Sequence, residues 1–404
     1  QIMRLLLVHQ NFPGQFRDIS PALCDKKHEL KAIGCSQRPC DSRIEVLRYE
    51  HGKHELTGIH TQTEELDDWI RRSEKVAELA MTLKQRGWAP DVMLAHPGWG
   101  EAMLLRQVFP ASPLIIWPEL WLQANHLGLD AMHLSVQQMH YLRTKNWLVD
   151  GAMADANVAI LPTRYQANSF PARWRDKIRV IHEGVPEALL NAPRLQQLSL
   201  GNGITLGPEV PVVTFISRNL EPMRGFPTFM RALPTLLRHH PEVQIVVVGG
   251  DEVSYSSAPD DDKSWRQVML NELKGQFDPQ RVHLFGRIPH DQLVKLYRRS
   301  NLHVYLSNAF VLSWSLLEVM ACGTPVLAQA NPMMEELIQH GVNGALWRGD
   351  HPESLAMAIM ELLQQQEQLK QWGEAGKQHL QPTFLQSHCV HQLETLLKEQ
   401  AACF

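Results

Sequence analysis

The stretch Asn308–Val326, NAFVLSWSLLEVMACGTPV, contains the features of a strand end, a tight loop and a buried helix in succession. The apolar run Leu302–Leu306 that precedes it has the length of a strand. A polar segment beginning at Ser313 leads into an apolar helix, and Gly323–Pro325 ends that helix, because glycine and proline commonly follow a helix C-terminus. We therefore expect a strand, a loop, a helix and another strand.

Glu318 is the one carboxylate in the first turns of this otherwise apolar helix. The first amides of a helix are unpaired and the helix dipole is positive there, so a helix N-terminus holds anions. A carboxylate about one turn inside is well placed to accept hydrogen bonds from sugar hydroxyls. The combination suits a nucleotide diphosphate and its ribose. The alternative is that Glu318 only stabilises the helix dipole.

The segment SLLEVMACGTPVLA (315–328) resembles the signature of retaining glycosyltransferases of the GT-B architecture and the family 4 type. In that family two glutamates stand eight positions apart, and the second binds the ribose of the nucleotide sugar. Glu318 matches the second glutamate, whereas Phe310 occupies the position of the first, which usually contacts the donor sugar. The resemblance therefore implies nucleotide binding and leaves donor-sugar recognition open. The substrate-binding residues it implies in this stretch are Phe310, Ser313, Trp314, Ser315, Leu316 and Glu318.

Composition favours a soluble globular protein of more than one domain. The chain has 404 residues, of which 44% are hydrophobic and 20% charged, and its net charge of −4 does not indicate a nucleic-acid partner. No apolar run approaches the roughly 20 residues of a membrane span, and the apolar run at the N-terminus is too short for a signal peptide. The six cysteines show no metal-ligand spacing, so we expect free thiols, a cytoplasmic protein and no metal site.

Alternating apolar strands and helices predict two Rossmann-like α/β domains, and the resemblance implies that they face each other across a cleft, as in GT-B enzymes. We expect an acceptor-side domain over 1–185, a boundary segment over 186–209 and a nucleotide-sugar domain over 210–380. A helix in 381–404 is then expected to cross back to the first domain, as in GT-B folds.

Three residues of the first domain are candidates because they follow predicted strands at the edge of the sheet where ligands bind. Gly14 lies in the loop after the first strand, where the resemblance implies contact with donor phosphates and acceptor, although a turn alone would explain it. Glu119 ends a later strand, and it would either help the acceptor hydroxyl and the developing positive charge or cap the next helix. His96 ends the strand before, and either lines the site or is a hydrogen-bonded structural histidine.

The second domain supplies four further candidates. Arg218 and Arg224 follow its first strand, where the resemblance implies an Arg and a Lys that clamp the donor diphosphate; Arg224 keeps the charge and adds bidentate capacity. The alternative is that Arg224 is a solvent-exposed charge of the loop without a ligand. Arg287 and Ile288 end another strand, at the position where the family contacts the nucleobase.

These expectations lead to a metal-independent retaining hexosyltransferase without a cofactor. The donor would be a UDP- or GDP-linked sugar, and the acceptor a glycan or lipid-linked saccharide of cell-surface polysaccharide biosynthesis. Peripheral association with the inner face of the membrane stays open, because acceptors in this family are often lipid-linked. Two alternatives remain: a non-catalytic GT-B subunit that binds a partner protein, and a GT-B enzyme of another type such as a sugar-nucleotide epimerase.

Overall fold

The structure is a computed structural model that describes residues 1–52 and 54–404. The chain separates into two compact units. Unit 1 comprises residues 1–124, 129–184 and 383–404, and unit 2 comprises residues 125–128 and 185–382. The sequence predicts that the first domain ends at 185 and the second at 380, with a separate boundary segment over 186–209.

The strands are short and mostly fully buried, as expected of parallel sheets covered on both faces. In chain order they are β1 (Arg4–Val8), β2 (Glu29–Gly34), β3 (Glu45–Arg48), β4 (Val92–Ala95), β5 (Leu114–Ile116), β6 (Val158–Leu161), β7 (Ile178–Val180), β8 (Leu198–Ser199), β9 (Thr205–Leu206), β10 (Val212–Asn219), β11 (Gln244–Gly250), β12 (Val282–Phe285), β13 (Leu302–Tyr305), β14 (Val326–Gln329) and β15 (Ala345–Trp347).

The α-helices alternate with these strands, and short 3-10 turns join several of them. The helices are α1 (Ile19–Asp25), α2 (Thr61–Gln85), α3 (Leu105–Val108), α4 (Val136–Asp155), α5 (Arg164–Asn168), α6 (Phe226–His239), α7 (Trp265–Glu272), α8 (His290–Arg299), α9 (Trp314–Ala321), α10 (Pro332–Glu335), α11 (Pro352–Leu363), α12 (Gln366–His379) and α13 (Gln386–Ala402).

Unit 1 is built on a seven-stranded parallel sheet with the order β3-β2-β1-β4-β5-β6-β7. The order reverses beside β1, which pairs with β2 on one side and β4 on the other, and the loops after β1 and β4 therefore meet at the switch point where open α/β sheets bind ligands. Gly14 follows β1, and His96 follows β4 directly. The fold thus places these two candidates side by side.

Unit 2 repeats the design with a six-stranded parallel sheet of order β12-β11-β10-β13-β14-β15. Its switch point lies between β10 and β13. The segment after β10 carries Arg218 and Arg224, and the segment after β13 leads into α9. The prediction of two α/β domains with parallel sheets is confirmed.

Two elements differ from the sequence-based expectation. Residues 186–209, expected to lack a firm pattern, contain the antiparallel β8–β9 hairpin, and Leu206 in it is buried. The helix expected over Met333–His340 is only the four residues of α10, because Asn343 binds the backbone of Leu337 and Gln339 and closes a turn there. Helix α13 packs on α1 and β4 of unit 1.

No helix in residues 1–52 and 54–404 is long and apolar enough to cross a membrane. All six cysteines are free thiols.

Candidate active site

The N-terminus of α9 is not capped by the side chain of its N-cap residue. Ser313 is the N-cap residue, but its hydroxyl bonds the hydroxyl of Ser315 at 2.7 Å instead of a backbone amide. The amides of the first turn, which include those of Ser315 and Leu316, have no partner within the helix by geometry. This end of α9 can therefore hold an anionic group, as its sequence predicts.

Arg224 is anchored directly in front of that helix end. Its Nη1 donates to Ser307 Oγ at 2.7 Å and lies 3.4 Å from both Val311 O and the Tyr305 hydroxyl. The Tyr305 hydroxyl is also 3.4 Å from the amide of Ser313, so one phenol contacts both groups expected to meet the diphosphate. All hydrogen bonds that the described residues make with the guanidinium of Arg224 use Nη1, which leaves Nε and Nη2 for a ligand.

The turn that carries Arg224 requires glycine at the next position. Gly225 has a φ of +80°, and a Cβ on it would lie 2.3 Å from the Cβ of Leu306, at the end of β13. The close approach brings the β10–α6 turn against the segment that leads to α9. Arg218, in contrast, is exposed, and no contact among the described residues joins it to Arg224.

Glu318 is buried, and both its oxygens face one histidine. His290 Nε2 lies 3.1 Å and 3.0 Å from the two carboxylate oxygens, and the imidazole is about half exposed (53%). His290 is the first residue of α8, immediately after the segment that holds Arg287 and Ile288. Arg287 itself bonds Glu252 at 2.7 Å and Asn219 at 3.1 Å, and Ile288 is half-buried. No local pattern indicated His290, because its partner lies 28 positions away.

Phe310 is buried in an aromatic cluster beside the arginine. Its ring lies 4.7 Å from that of Tyr255, and the Arg224 guanidinium lies 5.4 Å from the Tyr255 ring. The Tyr255 segment is fixed by Glu221, a buried carboxylate whose Oε2 accepts three consecutive backbone amides at 2.9–3.1 Å, from Ser254, Tyr255 and Ser256. The position at which the family has a glutamate is therefore an apolar wall.

In unit 1, His96 is buried between two carboxylates. Its Nδ1 lies 3.2 Å from Glu101 Oε1, and its Nε2 lies 3.6 Å from Glu119 Oε1. Burial by itself lowers the pKa of His96, but the Glu101 and Glu119 carboxylates outweigh it and raise the pKa to about 9. The Trp99 ring stacks on His96 with 4.5 Å between centroids, and the Trp99 amide donates to Glu101 Oε2 at 2.8 Å. Glu101, which the sequence reasoning missed, is completely buried.

His9 joins the loop of Gly14 to His96. Its ring is 4.8 Å from that of His96, and a Cβ on Gly14 would lie 2.6 Å from it, so glycine is required both for space and for a φ of +47°. The His9 Nδ1 accepts from the Asn11 amide at 3.0 Å, which places the proton of the neutral ring on Nε2. Burial first, and the His96 charge second, hold the pKa of His9 well below its usual value.

Glu119 extends from an unusual backbone position and is partly exposed. It has a φ of +64°, and its carbonyl accepts from Gln166 Nε2 at 2.8 Å. Gln166 is fully buried at the start of α5, where its own amide is capped by Thr163. The side chain of Glu119 is 40% exposed, and no α-helix begins in the residues directly after it, so capping does not account for it.

Two family models match successive parts of the chain. Residues 26–189 match the glycosyl transferase family 4 group, and residues 205–379 match the glycosyl transferases group 1. Together they span most of the sequence. The chain belongs to the group 1 glycosyltransferases of the family 4 type.

Curated relatives agree with that membership. The chain is 27% identical over 220 residues to the D-inositol 3-phosphate glycosyltransferase of Mycolicibacterium gilvum, covering 54% of this chain and 46% of that protein. It is 31% identical over 175 residues to the protein of the same description from Segniliparus rotundus, covering 43% and 37%. The matched stretches thus span less than half the length of these curated relatives.

The solved structures match over nearly the whole chain. Sucrose-phosphate synthase from Thermosynechococcus elongatus superimposes with a TM-score of 0.75 at 18% identity, covering 99% of this chain and 100% of that one. Anabaena HepE in complex with UDP-glucose gives 0.66 at 18% identity, covering 98% and 100%. At these identities the likeness shows the fold, which is the GT-B fold that the sequence predicted.

Proposed function

We propose that the protein is a glycosyltransferase that moves a sugar from a nucleotide-diphosphate sugar to a hydroxyl of a glycan or lipid-linked saccharide, with retention of configuration. The observation that carries the proposal is the arrangement at α9. An uncapped helix N-terminus, an anchored arginine and a buried carboxylate one turn inside the helix provide for a diphosphate and a ribose in the correct order along the nucleotide.

Unit 2 would hold the donor. The first-turn amides of α9 and the free edge of Arg224 would neutralise the diphosphate as it leaves, and exposed Arg218 would approach it from the end of β10. With these cations the transfer would need no metal ion. Glu318 would accept the ribose hydroxyls, with His290 donating to it from the other side, and the backbone at Arg287 and Ile288 would contact the base.

Unit 1 would supply the acceptor side. Glu119 is the candidate that would receive the acceptor hydroxyl or stabilise positive charge at the anomeric carbon, since it is the exposed member of the cluster. The protonated imidazole of His96 would hold the Glu119 carboxylate in position by electrostatic attraction. We propose a role in cell-surface polysaccharide biosynthesis, in the cytoplasm and with peripheral contact to the membrane where the acceptor is lipid-linked.

Thermal stabilisation by UDP-, GDP- and ADP-sugars, each with Mg²⁺ and with a chelator, tests the donor site. A ligand that binds only the folded protein raises its melting temperature according to its affinity. We expect one nucleotide class to stabilise the protein equally with and without metal. The variant Arg224→Ala should weaken this ligand about 10- to 100-fold, because a charge-assisted hydrogen bond contributes about 1.5–3 kcal/mol.

The control is Arg231→Ala, which removes an arginine of α6 that pairs with Glu272 on the surface. The proposal would be contradicted if no nucleotide sugar stabilised the protein, or if Arg224→Ala and Arg231→Ala lost the same affinity for the nucleotide sugar. Retention is tested separately, by following the anomeric proton of the first product by NMR.

The buried Phe310 favours one second candidate, a non-catalytic GT-B subunit that binds a partner. The variant Glu318→Ala distinguishes the two. A transferase loses turnover and nucleotide affinity in this variant, whereas a binding subunit keeps its partner.

A further inference from the structure

A groove in unit 1 lies between α2 and α4 and is separate from the His96 cluster. It has a volume of about 480 Å³. This is within the range of ligand sites, about 300–1,000 Å³. Its walls are mainly apolar, and its lining includes Leu66, Trp69, Pro97, Met103, Trp147 and Leu148. All of these residues belong to unit 1.

One wall of the groove is the segment that carries the candidate acceptor-side residues. Pro97 directly follows His96, and Ala102 directly follows Glu101, and both line the groove. The segment is packed tightly on α2, since a Cβ on Gly100 would lie 2.6 Å from the carbonyl oxygen of Trp69. A molecule in the groove would therefore end within a few residues of the site at which the acceptor hydroxyl is expected.

One side of the groove is helix α4, which carries exposed apolar side chains and a cation. Trp147, which lines the groove, is more than half exposed, as are Val136 and Met139 earlier in the helix. The guanidinium of Arg143 lies 5.9 Å from the ring of Trp147 and forms no salt bridge with the described residues, whereas Lys145 pairs with Glu65 at 2.8 Å. The Asp155 carboxylate also lines the groove, about three turns from Arg143 along α4. The Arg143 end of the groove is therefore complementary to an amphiphile whose hydrocarbon is followed by an anionic link.

We propose that this groove binds the hydrocarbon tail of the acceptor, and that the acceptor is an amphiphile with an anionic linkage such as a phosphate. The proposal rests on the proposed function and narrows its acceptor from any glycan to a lipid-linked one. The apolar walls would desolvate the tail, and Arg143 would face the anionic link. The acceptor's sugar would then lie toward the segment 97–103.

Gly151 allows the groove to be filled without disturbing the fold. It lines the groove on the α4 face that also carries Thr144, Leu148 and Asp155, spaced by three or four residues. A Cβ on Gly151 meets no atom within 4 Å, and its position inside a helix means that any side chain improves the helix propensity. The variant Gly151→Phe should therefore fold and occupy the groove, and Gly151→Ala is the matched control that leaves it open.

The experiment is calorimetric titration of the full chain with hexyl, octyl and decyl phosphate below their micelle concentrations, without nucleotide. Each added methylene should tighten binding about fourfold until the groove is filled. We expect Gly151→Phe to weaken octyl phosphate at least tenfold and Gly151→Ala to leave it within twofold. Octyl trimethylammonium, which has the opposite charge, should bind less tightly than octyl phosphate.

The proposal would be overturned if the affinity for alkyl phosphates did not depend on the length of their hydrocarbon chain. It would also be overturned if Gly151→Phe bound octyl phosphate as tightly as the wild type while its melting temperature was unchanged. If Gly151→Phe weakened binding to neutral phospholipid vesicles as much as binding to octyl phosphate, the groove would bind bulk lipid. That result would also overturn the proposal. Because the titration contains no donor, its failure leaves nucleotide-sugar binding by unit 2 untouched. Failure of donor binding would in turn leave the titration interpretable.

Discussion

At the scale of single residues, the buried imidazole of His96 shows how charge is arranged in unit 1. Its Nδ1 faces both Glu101 Oε1 at 3.2 Å and the amide of Gly98 at 3.1 Å. In the cation, Nδ1 donates to Glu101; in the neutral ring with the proton on Nε2, Nδ1 accepts from Gly98. Protonation therefore decides which of the two neighbours the ring binds.

We predict that Glu101→Gln lowers the pKa of His96 from its value of about 9. Burial lowers this pKa and Glu101 is one of the two carboxylates that oppose burial, so the loss of its charge leaves only Glu119 to raise the pKa. The titration of the His96 ring by NMR measures the change directly. Glu78→Gln, an exposed carboxylate of α2, is the control, and an unaltered His96 titration in Glu101→Gln would contradict the assignment.

The same pKa makes a contribution to stability with a defined sign. The folded pKa lies above the unfolded one, so the contribution of His96 is fully present below about pH 6.5 and is lost as the pH rises through about 9. We expect the free energy of unfolding of the wild-type protein to fall over that interval more than that of Glu101→Gln. Denaturant unfolding of both proteins at pH 6 and pH 9.5 measures the difference.

The residues that the sequence indicated and those it missed differ in a physical way. Glu318 was found because its neighbours in the chain form a recognisable helix start. His290 and Glu221 were missed because each acts through a partner or a backbone segment that only the tertiary fold supplies. Glu221, for example, binds three amides more than thirty positions away. Glu101 was missed because its partners, His96 and the Trp99 amide, are brought to it by an irregular loop that has no sequence pattern.

At the scale of elements, a nearly buried carboxylate joins α13 to the segment between α1 and β2. Glu394 pairs with Lys26 at 2.8 Å, with Lys398 at 2.7 Å and with His28 at 3.1 Å. Although burial by itself raises the pKa of Glu394, these partners lower it to about 2. The stability that the pairing contributes is therefore present above about pH 4.5 and is lost as the pH falls through about 2.

We predict that Glu394→Gln loosens α13 at neutral pH. Removing one partner from a nearly buried ionic cluster typically costs a few kcal/mol, so hydrogen exchange of residues 386–402 should accelerate at least tenfold. Glu399→Gln, an exposed carboxylate on the same helix, is the control. Equal exchange in both variants would show that the Glu394 cluster does not hold the helix.

Strand positions were predictable because buried parallel strands read as continuous apolar runs, as in β10 and β13. The β8–β9 hairpin was not, since its strands have two residues each and no periodicity to detect. The early end of α10 was missed for another reason: the side chain of Asn343 replaces the helical hydrogen bonds, which no local propensity reveals.

At the scale of the whole molecule, each unit has its own core, and α13 belongs to the core of unit 1. Its residues Cys389, Leu393, Leu396 and Leu397 pack with residues of strands β1, β4 and β5. Burial of each large apolar side chain stabilises by about 1.5–3 kcal/mol, so the helix contributes a large part of the 5–15 kcal/mol typical of a domain.

We predict that removal of residues 383–404 lowers the melting temperature of unit 1 by more than 10 °C or abolishes its transition, as a loss of several kcal/mol implies. Unit 2 should still be stabilised by the nucleotide sugar. Calorimetry with and without that ligand measures both effects, and a chain lacking only 403–404 is the control. An unchanged unit 1 transition would show that its fold does not depend on α13.

Because α13 completes unit 1 from the far end of the chain, the order of synthesis bears on how the protein folds in the cell. About 200 residues separate Gly184 from Thr383. At about 5–20 residues per second the ribosome needs roughly 10–40 s to make them. For that time the nascent sheet of unit 1 exposes the apolar surface intended for α13, while unit 2, nearly continuous in sequence, can fold behind it. A helix made after unit 2 therefore completes a domain begun before it, and we expect nascent unit 1 to stay incomplete until translation has passed residue 402.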